Sequence, residues 1–415
     1  MKIIIKYLLG YIYIVILLFG NNACNVGKST TTRKHPSEMH MIEYFTVDSL
    51  NDLSKDCYNG KKQKYGNINL IINNNGLVGG NIYSHNVMTD QTCSYNPFIW
   101  HDKTLHLLTL DNVSFCQYSV ECHVLVDSLS DNNKIVGIIS KPDPREDFGF
   151  DNRLYYYDSE FRIITNYKNP LYIYQDMISS ANGQYITPRY MNGYNKYMYD
   201  IIQEKIYPFN RYPDVQFVFG ISNDGVFIGD TAVHSSVIAP APIICDLTKC
   251  NIVEEFNYSD TNMGALFTIS SNGKFIYGVR ALISGINIKY NIFKVDYNSP
   301  DDFKIVDLSV FDSSTILNKY PWLSSGTDDG AVVLSNSHTS GYIYSAKNNK
   351  LYAMADLLRK VGLEQYISDN AIVSLSSNGK YLLLDLSKDI VHSNKIIAIK
   401  INFVEGIDKF CEQLD

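Results

Sequence analysis

The chain has 415 residues, 45% of them hydrophobic and only 19% charged, which excludes a disordered protein and allows one large closed architecture or two to three ordinary domains. Its net charge is -7, and the residues carry no basic stripe, which argues against nucleic acid as a partner. Tyrosine is over-used at 32 residues against 2 tryptophans, a bias that suits strands, where the ring packs on a pleated face and the hydroxyl reaches water.

The N-terminus reads as an export signal over 1–23. Lys2 and Lys6 form a positive segment, followed by a 13-residue apolar run from Tyr7 to Phe19. That run is short for a membrane span, which needs about 20 residues, and right for the core of a signal peptide. Gly20-Asn21-Asn22-Ala23 then leads into Cys24 in a way that resembles the lipobox of bacterial lipoproteins, although that motif places a leucine-like residue where Asn21 stands. The resemblance implies a lipidated Cys24 and a membrane partner reached through the lipid; cleavage by ordinary signal peptidase and simple secretion is the alternative. Residues 24–38, rich in Thr, Ser and Lys, read as a flexible tether, and 39–410 as a single domain.

Export makes disulfides permissible. Seven cysteines remain after Cys24, namely Cys57, Cys93, Cys116, Cys122, Cys245, Cys250 and Cys411. Cys245 and Cys250 flank a four-residue turn and are a candidate disulfide, and Cys116 and Cys122 are similarly close. No CxxC pair and no paired Cys/His spacing points to a metal.

From residue 64 onward one phrase recurs: a few β-formers, a Ser/Asn/Asp-Gly turn, and another apolar run. The turn positions are Gly76, Asn133, Gly183, Gly225, Gly273, Gly330 and Gly379, about 50 residues apart on average. Asn replaces Gly in the second copy, and Asn tolerates positive φ better than most residues. Each phrase is a β-hairpin, and a second strand pair follows six of them at the same offset. Four strands per repeat at this period predict a seven-bladed, all-β propeller of four-stranded blades. The seventh repeat has strands near Ile372–Leu375, Tyr381–Leu386 and Lys395–Phe403, then no clear fourth. The segment Met41–Asp48 has strand character and no repeat of its own, so it is predicted to supply the missing outer strand and close the ring. A helix is predicted over Met354–Val361, ended by Gly362.

Phe219 to Gly229 (FGISNDGVFIG) and Ile72 to Gly79 with Phe98-Ile99-Trp100 resemble the HAF-type repeats of bacterial extracellular proteins, and ISSNGKFIYG is similar to the blades of TolB-like propellers. Both resemblances imply a propeller in the bacterial cell envelope, periplasmic or surface-exposed, and neither brings a catalytic motif.

No nucleophile elbow, HExxH, P-loop or cofactor fingerprint is present, so neither cofactor nor metal is expected. The candidate binding-face residues are Tyr83, His85, Arg145, Arg189, Tyr190, His234, His338 and His392. Most of them follow the second strand of a repeat, where variable loops gather on one propeller face; Arg145 belongs to the charged loop KPDPREDFGF. The expected function is a non-catalytic envelope module binding a glycan, peptide or protein. The alternative is an exported hydrolase or lyase with its site at the channel mouth.

Overall fold

The computed structural model describes residues 40–46, 64–86, 91–108, 123–142, 150–164, 177–191, 197–209, 215–231, 241–253, 262–284, 287–299, 302–307, 322–336, 339–367, 372–386 and 396–414. They form a seven-bladed β-propeller, each blade a four-stranded antiparallel sheet with strands A to D running from the axis outward. Blade 1 comprises Lys64–Ile72, Val78–Asn86, Gln91–His101 and Thr104–Leu107; blade 2, His123–Leu129, Ile135–Pro142, Phe150–Tyr157 and Phe161–Ile163. Blade 3 comprises Met177–Ser179, Tyr185–Pro188, Tyr197–Asp200 and Lys205–Pro208; blade 4, Val215–Ile221, Phe227–Thr231, Pro242–Cys245 and Cys250–Ile252. Blade 5 comprises Asn262–Ile269, Ile276–Ser284, Asn287–Ser299 and Asp302–Asp307; blade 6, Trp322–Gly326, Ala331–Asn336, Thr339–Ser345 and Lys350–Ala353. Blade 7 takes Ile372–Leu375, Tyr381–Asp385 and Ile396–Phe403, and its outer strand is the N-terminal His40–Thr46. The A strands neighbour one another around the ring, blade 7 against blade 1 included.

The recurring phrase has a local cause. The first turn residue is Asn73, Ser130, Ser180, Ser222, Ser270, Thr327 or Ser376, each buried. Its side-chain oxygen accepts the backbone N–H that opens strand B: from Leu77, Lys134, Tyr185, Val226, Phe275, Ala331 and Tyr381, at 2.9–3.1 Å. A short polar side chain therefore does what a backbone carbonyl would. All seven predicted turn positions have positive φ, Asn133 at 63° among them.

These turns also hold the blades to each other. Asn74 donates from its backbone and side chain to Asp131, the Asp131 backbone N–H donates to the Ala181 carbonyl, and Asn182 donates to Asn223. The Asn223 backbone N–H donates to the Ser271 carbonyl, Asn272 donates to Asp328, the Asp328 backbone N–H donates to the Ser377 carbonyl, and Asn378 donates back to Asn74. The result is a hydrogen-bond ring that passes all seven blade junctions on the A–B turn face. Burial pushes the Asp131 carboxyl up, against the pull of its bonds from Asn74.

Closure rests on blade 7. His40–Thr46 pairs antiparallel with Ile396–Phe403, His40 opposite Phe403. Its Phe45 is fully buried and stacks on Phe98 at 5.5 Å and Trp100 at 5.2 Å, both in blade 1. Lys400, on strand C, reaches Glu43 on the closing strand at 3.0 Å and donates to the Gly76 carbonyl of blade 1 at 3.0 Å.

The predicted helix spans Met354–Lys360, and Gly362 follows at φ 77°. A second short helix, Ile407–Cys411, takes the place after strand C of blade 7 that showed no strand; it buries Ile407, Phe410 and Cys411. Among the described residues, no helix is long and apolar enough to cross a membrane.

Cys245 and Cys250 form the expected disulfide across the C–D turn of blade 4, where they are paired in register. Cys116 and Cys122 lie outside the described residues. So short a loop restrains the unfolded chain little, so Cys245→Ala/Cys250→Ala is expected to lower stability by about 2 kcal/mol; a denaturant titration of the double variant measures it.

Candidate functional site at the channel mouth

The two ends of the propeller differ. On the A–B turn face the hydrogen-bond ring fixes the loops. A cavity of about 330 Å³ opens on that face between blades 4 and 5, beside Asp224, Asp246, Asn272, Lys274 and Tyr297. The opposite face carries the B–C connections, and there the chain does something the repeat does not require.

After strand B of blade 3, residues 189–191 turn inward. Met191 N donates to the Gln216 carbonyl at 2.7 Å, and Val218 N donates to the Arg189 carbonyl at 2.9 Å. These bonds make an antiparallel bridge between Tyr190 and Phe217. Phe217 belongs to strand A of blade 4, whose other edge already pairs with strand B. The bridge therefore uses the axial edge, and it places residues 189–191 inside the mouth of the channel. Met191 is buried in the core between blades 3 and 4 and anchors the segment.

Tyr190 is 40% exposed, with its ring 5.0 Å from Phe217. Phe217 stacks on Phe219 at 6.3 Å, and Phe219 meets Phe267 of blade 5 at 6.1 Å. All three phenylalanines are half-buried. The arrangement is an aromatic row that starts at the rim and descends along the inner strands, and such a row offers apolar faces to a ligand at little entropic cost, because aromatic side chains have few rotatable bonds.

Beneath the row lies a buried carboxyl. Asp230, on strand B of blade 4, is the register partner of Phe217. It is 7% exposed, its Oδ1 has no hydrogen-bond partner, and burial pushes its pKa up to about 7.

Of the candidate residues read from the sequence, Arg189 and Tyr190 are brought to the channel mouth, and both are exposed. Tyr83 and His85 lie on strand B of blade 1, opposite Tyr95 and Thr92, toward the end away from the A–B turn. Arg145, His234, His338 and His392 lie outside the described residues. Phe217, Phe219, Phe267 and Asp230 were not singled out by sequence. The Phe-x-Phe of VQFVFG was the one signal for Phe217 and Phe219, and it reads equally as an ordinary strand; Phe267 and Asp230 had none. Among the described residues, no group of three or more His, Cys, Asp or Glu is placed to hold a metal.

No family model matches the chain, HAF-type repeats included, and no curated protein sequence matches it. Solved structures do. The β-propeller domain of the Trilobed protease from Pyrococcus furiosus matches with a TM-score of 0.48 at 8% identity, over 79% of this chain and 90% of that one. The acylaminoacyl peptidase of Pyrococcus horikoshii matches at 0.46 and 8%, over 78% of this chain and 49% of that one. The oligogalacturonate lyase of Vibrio parahaemolyticus matches at 0.45 and 11%, over 89% and 98%. Likenesses at this level say nothing of activity.

Proposed function

We propose that the chain is an exported bacterial envelope protein, lipid-anchored through Cys24, with a TolB-like propeller whose channel mouth binds a glycan, peptide or protein without turning it over. The observation that carries this reading is the position of Tyr190. Two main-chain hydrogen bonds hold its segment on the axial edge of blade 4, and Phe217 backs its ring, yet 40% of it stays exposed. A preorganised, half-exposed aromatic on a rigid frame is what a binding hot spot requires.

The competing reading is a hydrolase or lyase at the same mouth. Asp230 has the pKa of a general base there, but its Oδ1 is shut away from solvent beneath the aromatic row, which suits a wall residue better than an acid–base group.

A glycan and envelope-protein binding screen on the soluble form that starts after Cys24 tests the proposal. Tyr190→Ala is expected to weaken any partner found by at least about tenfold while leaving the thermal midpoint unchanged. Silence across the screen, with turnover of a substrate, would overturn the binding reading. Cys24→Ser is expected to move the protein from the membrane to the soluble fraction.

A further inference from the structure

The position five residues past the turn glycine shows how neighbouring blades are joined. In blade 1 it is Asn81, buried at 1% exposure. Asn81 donates from Nδ2 to the Val126 carbonyl at 2.7 Å and accepts from Val126 N at 2.7 Å. Val126 stands at a bulge in strand A of blade 2, where the register shifts before Ser128. An amide suits this place because it offers one donor and one acceptor side by side.

Blade 4 has Asp230 at that position, and blade 5 has the matching bulge in strand A, between Leu266 and Thr268. Ile228, on the same side of the strand as Asp230, packs with Leu266 and Ile269 of blade 5, so Asp230 faces the same seam. Asp230 does not make the Asn81 pair of bonds: its Oδ1 has no hydrogen-bond partner, and a carboxylate, which only accepts hydrogen bonds, is poorly held in such a place.

We propose that Asp230 is carried as a neutral acid buried in the seam between blades 4 and 5, where its Oδ1 has no hydrogen-bond partner to hold a charge, and that its ionisation loosens the channel wall that holds Tyr190 and Phe217. The consequence for binding rests on the channel mouth being the recognition face; the seam itself does not. Among the described residues, no opposing charge acts on Asp230. Strand A of blade 4 and strand A of blade 5 contain no ionisable residue, and strand C of blade 4 has only Cys245, which is disulfide-bonded. Strand B of blade 5 brings Tyr277, itself raised by burial, and Arg280, which is engaged in interactions of its own. His234, four residues on, lies outside the described residues. Burial is the cause that lifts Asp230, and the lift sets the sign. The folded-state pKa lies above that of an unfolded aspartate, so the stabilisation is complete in acid and is lost as pH rises toward and through about 7.

The test is amide exchange on the full chain at pH 6 and pH 8, corrected for intrinsic base catalysis, read at Met191 and Val218. Both amides donate across the bridge between residues 189–191 and blade 4. Exchange is expected to quicken about tenfold from pH 6 to pH 8, the change one pKa unit corresponds to. Asp230→Asn, which is uncharged at both pH values and leaves His234 in place, is expected to abolish the change. Equal acceleration in both proteins, or none in the wild type, would overturn the proposal. A carbon-detected titration of the Asp230 carboxyl decides independently of how the variant folds: a midpoint in the ordinary aspartate range refutes it.

Discussion

Glu43→Ala is expected to destabilise the propeller by about 3–5 kcal/mol, the usual cost of stripping one partner from a buried ion pair. Lys400 is 5% exposed at its side chain and Glu43 18%, so the ammonium in particular has little water to fall back on. The ammonium also lies 5.3 Å from the Trp100 ring and 6.0 Å from that of Tyr381, which adds cation–π attraction but little room to escape. Removing the carboxylate leaves a buried cation hydrogen-bonded to the Gly76 carbonyl. The loss falls at the one junction made by strands from opposite ends of the sequence, so the outer strand of blade 7 detaches rather than shifting. The double variant Glu43→Leu/Lys400→Met is expected to recover most of the stability, because an apolar pair of similar volume removes the desolvation cost; the Gly76 carbonyl then lacks a donor, at roughly 1 kcal/mol. Urea midpoints for the three proteins check this, and a loss below about 1 kcal/mol for Glu43→Ala would show that the pair does not hold the closure.

Gly137→Ala is expected to be at least as damaging, at about 3 kcal/mol or more. A β-carbon at Gly137 would stand 1.8 Å from the Leu125 carbonyl oxygen and 2.9 Å from its carbon. The obstacle is backbone, in the inner strand of the same blade, beside the bulge at Val126, and the buried Tyr155 donates to that same carbonyl oxygen at 2.9 Å. Nothing flexible can give way. Gly229 repeats the arrangement in blade 4, with the Phe217 carbonyl oxygen at 2.0 Å, so Gly229→Ala is expected to disturb the aromatic row along with stability. Gly362→Ala supplies the contrast. Its φ is 77° but no atom stands within 4 Å of the added carbon, so it is expected to cost only about 1 kcal/mol of backbone strain. Thermal or denaturant midpoints for these variants separate close approach from conformational strain.

What the sequence made legible is the chemistry that acts locally. A Ser, Thr or Asn that caps its own hairpin, followed by a residue able to take positive φ, marks every blade, because that turn forms from adjacent residues. The closing strand was legible by subtraction, since Met41–Asp48 had strand character and blade 7 lacked an outer strand; the strand itself spans His40–Thr46. The strand pair on either side of Asp102–Lys103 was legible from its apolar runs, but no glycine fixed the place of the turn, where both residues take positive φ, at 48° and 65°. The helix Ile407–Cys411 is too short to show a period, and it exists because Phe410 fills space against Phe403 at 4.9 Å. The site was half legible. Arg189 and Tyr190 were found by their place after strand B. The pairing of residues 189–191 with the inner edge of blade 4 depends on two blades meeting, and neither segment encodes it alone. Asp230 looks like any turn-flanking aspartate until its counterpart Asn81 is seen bridging two blades.

The central claim is that recognition occurs at the channel mouth and that the A–B turn ring is structural. Amide exchange with and without a bound partner tests it most directly. Slowed exchange is expected at Met191, Val218 and the rest of residues 215–219, with the turns around Asn74, Asn182, Asn272 and Asn378 unchanged. Protection confined to those turns, with residues 189–191 exchanging as in the free protein, would contradict it.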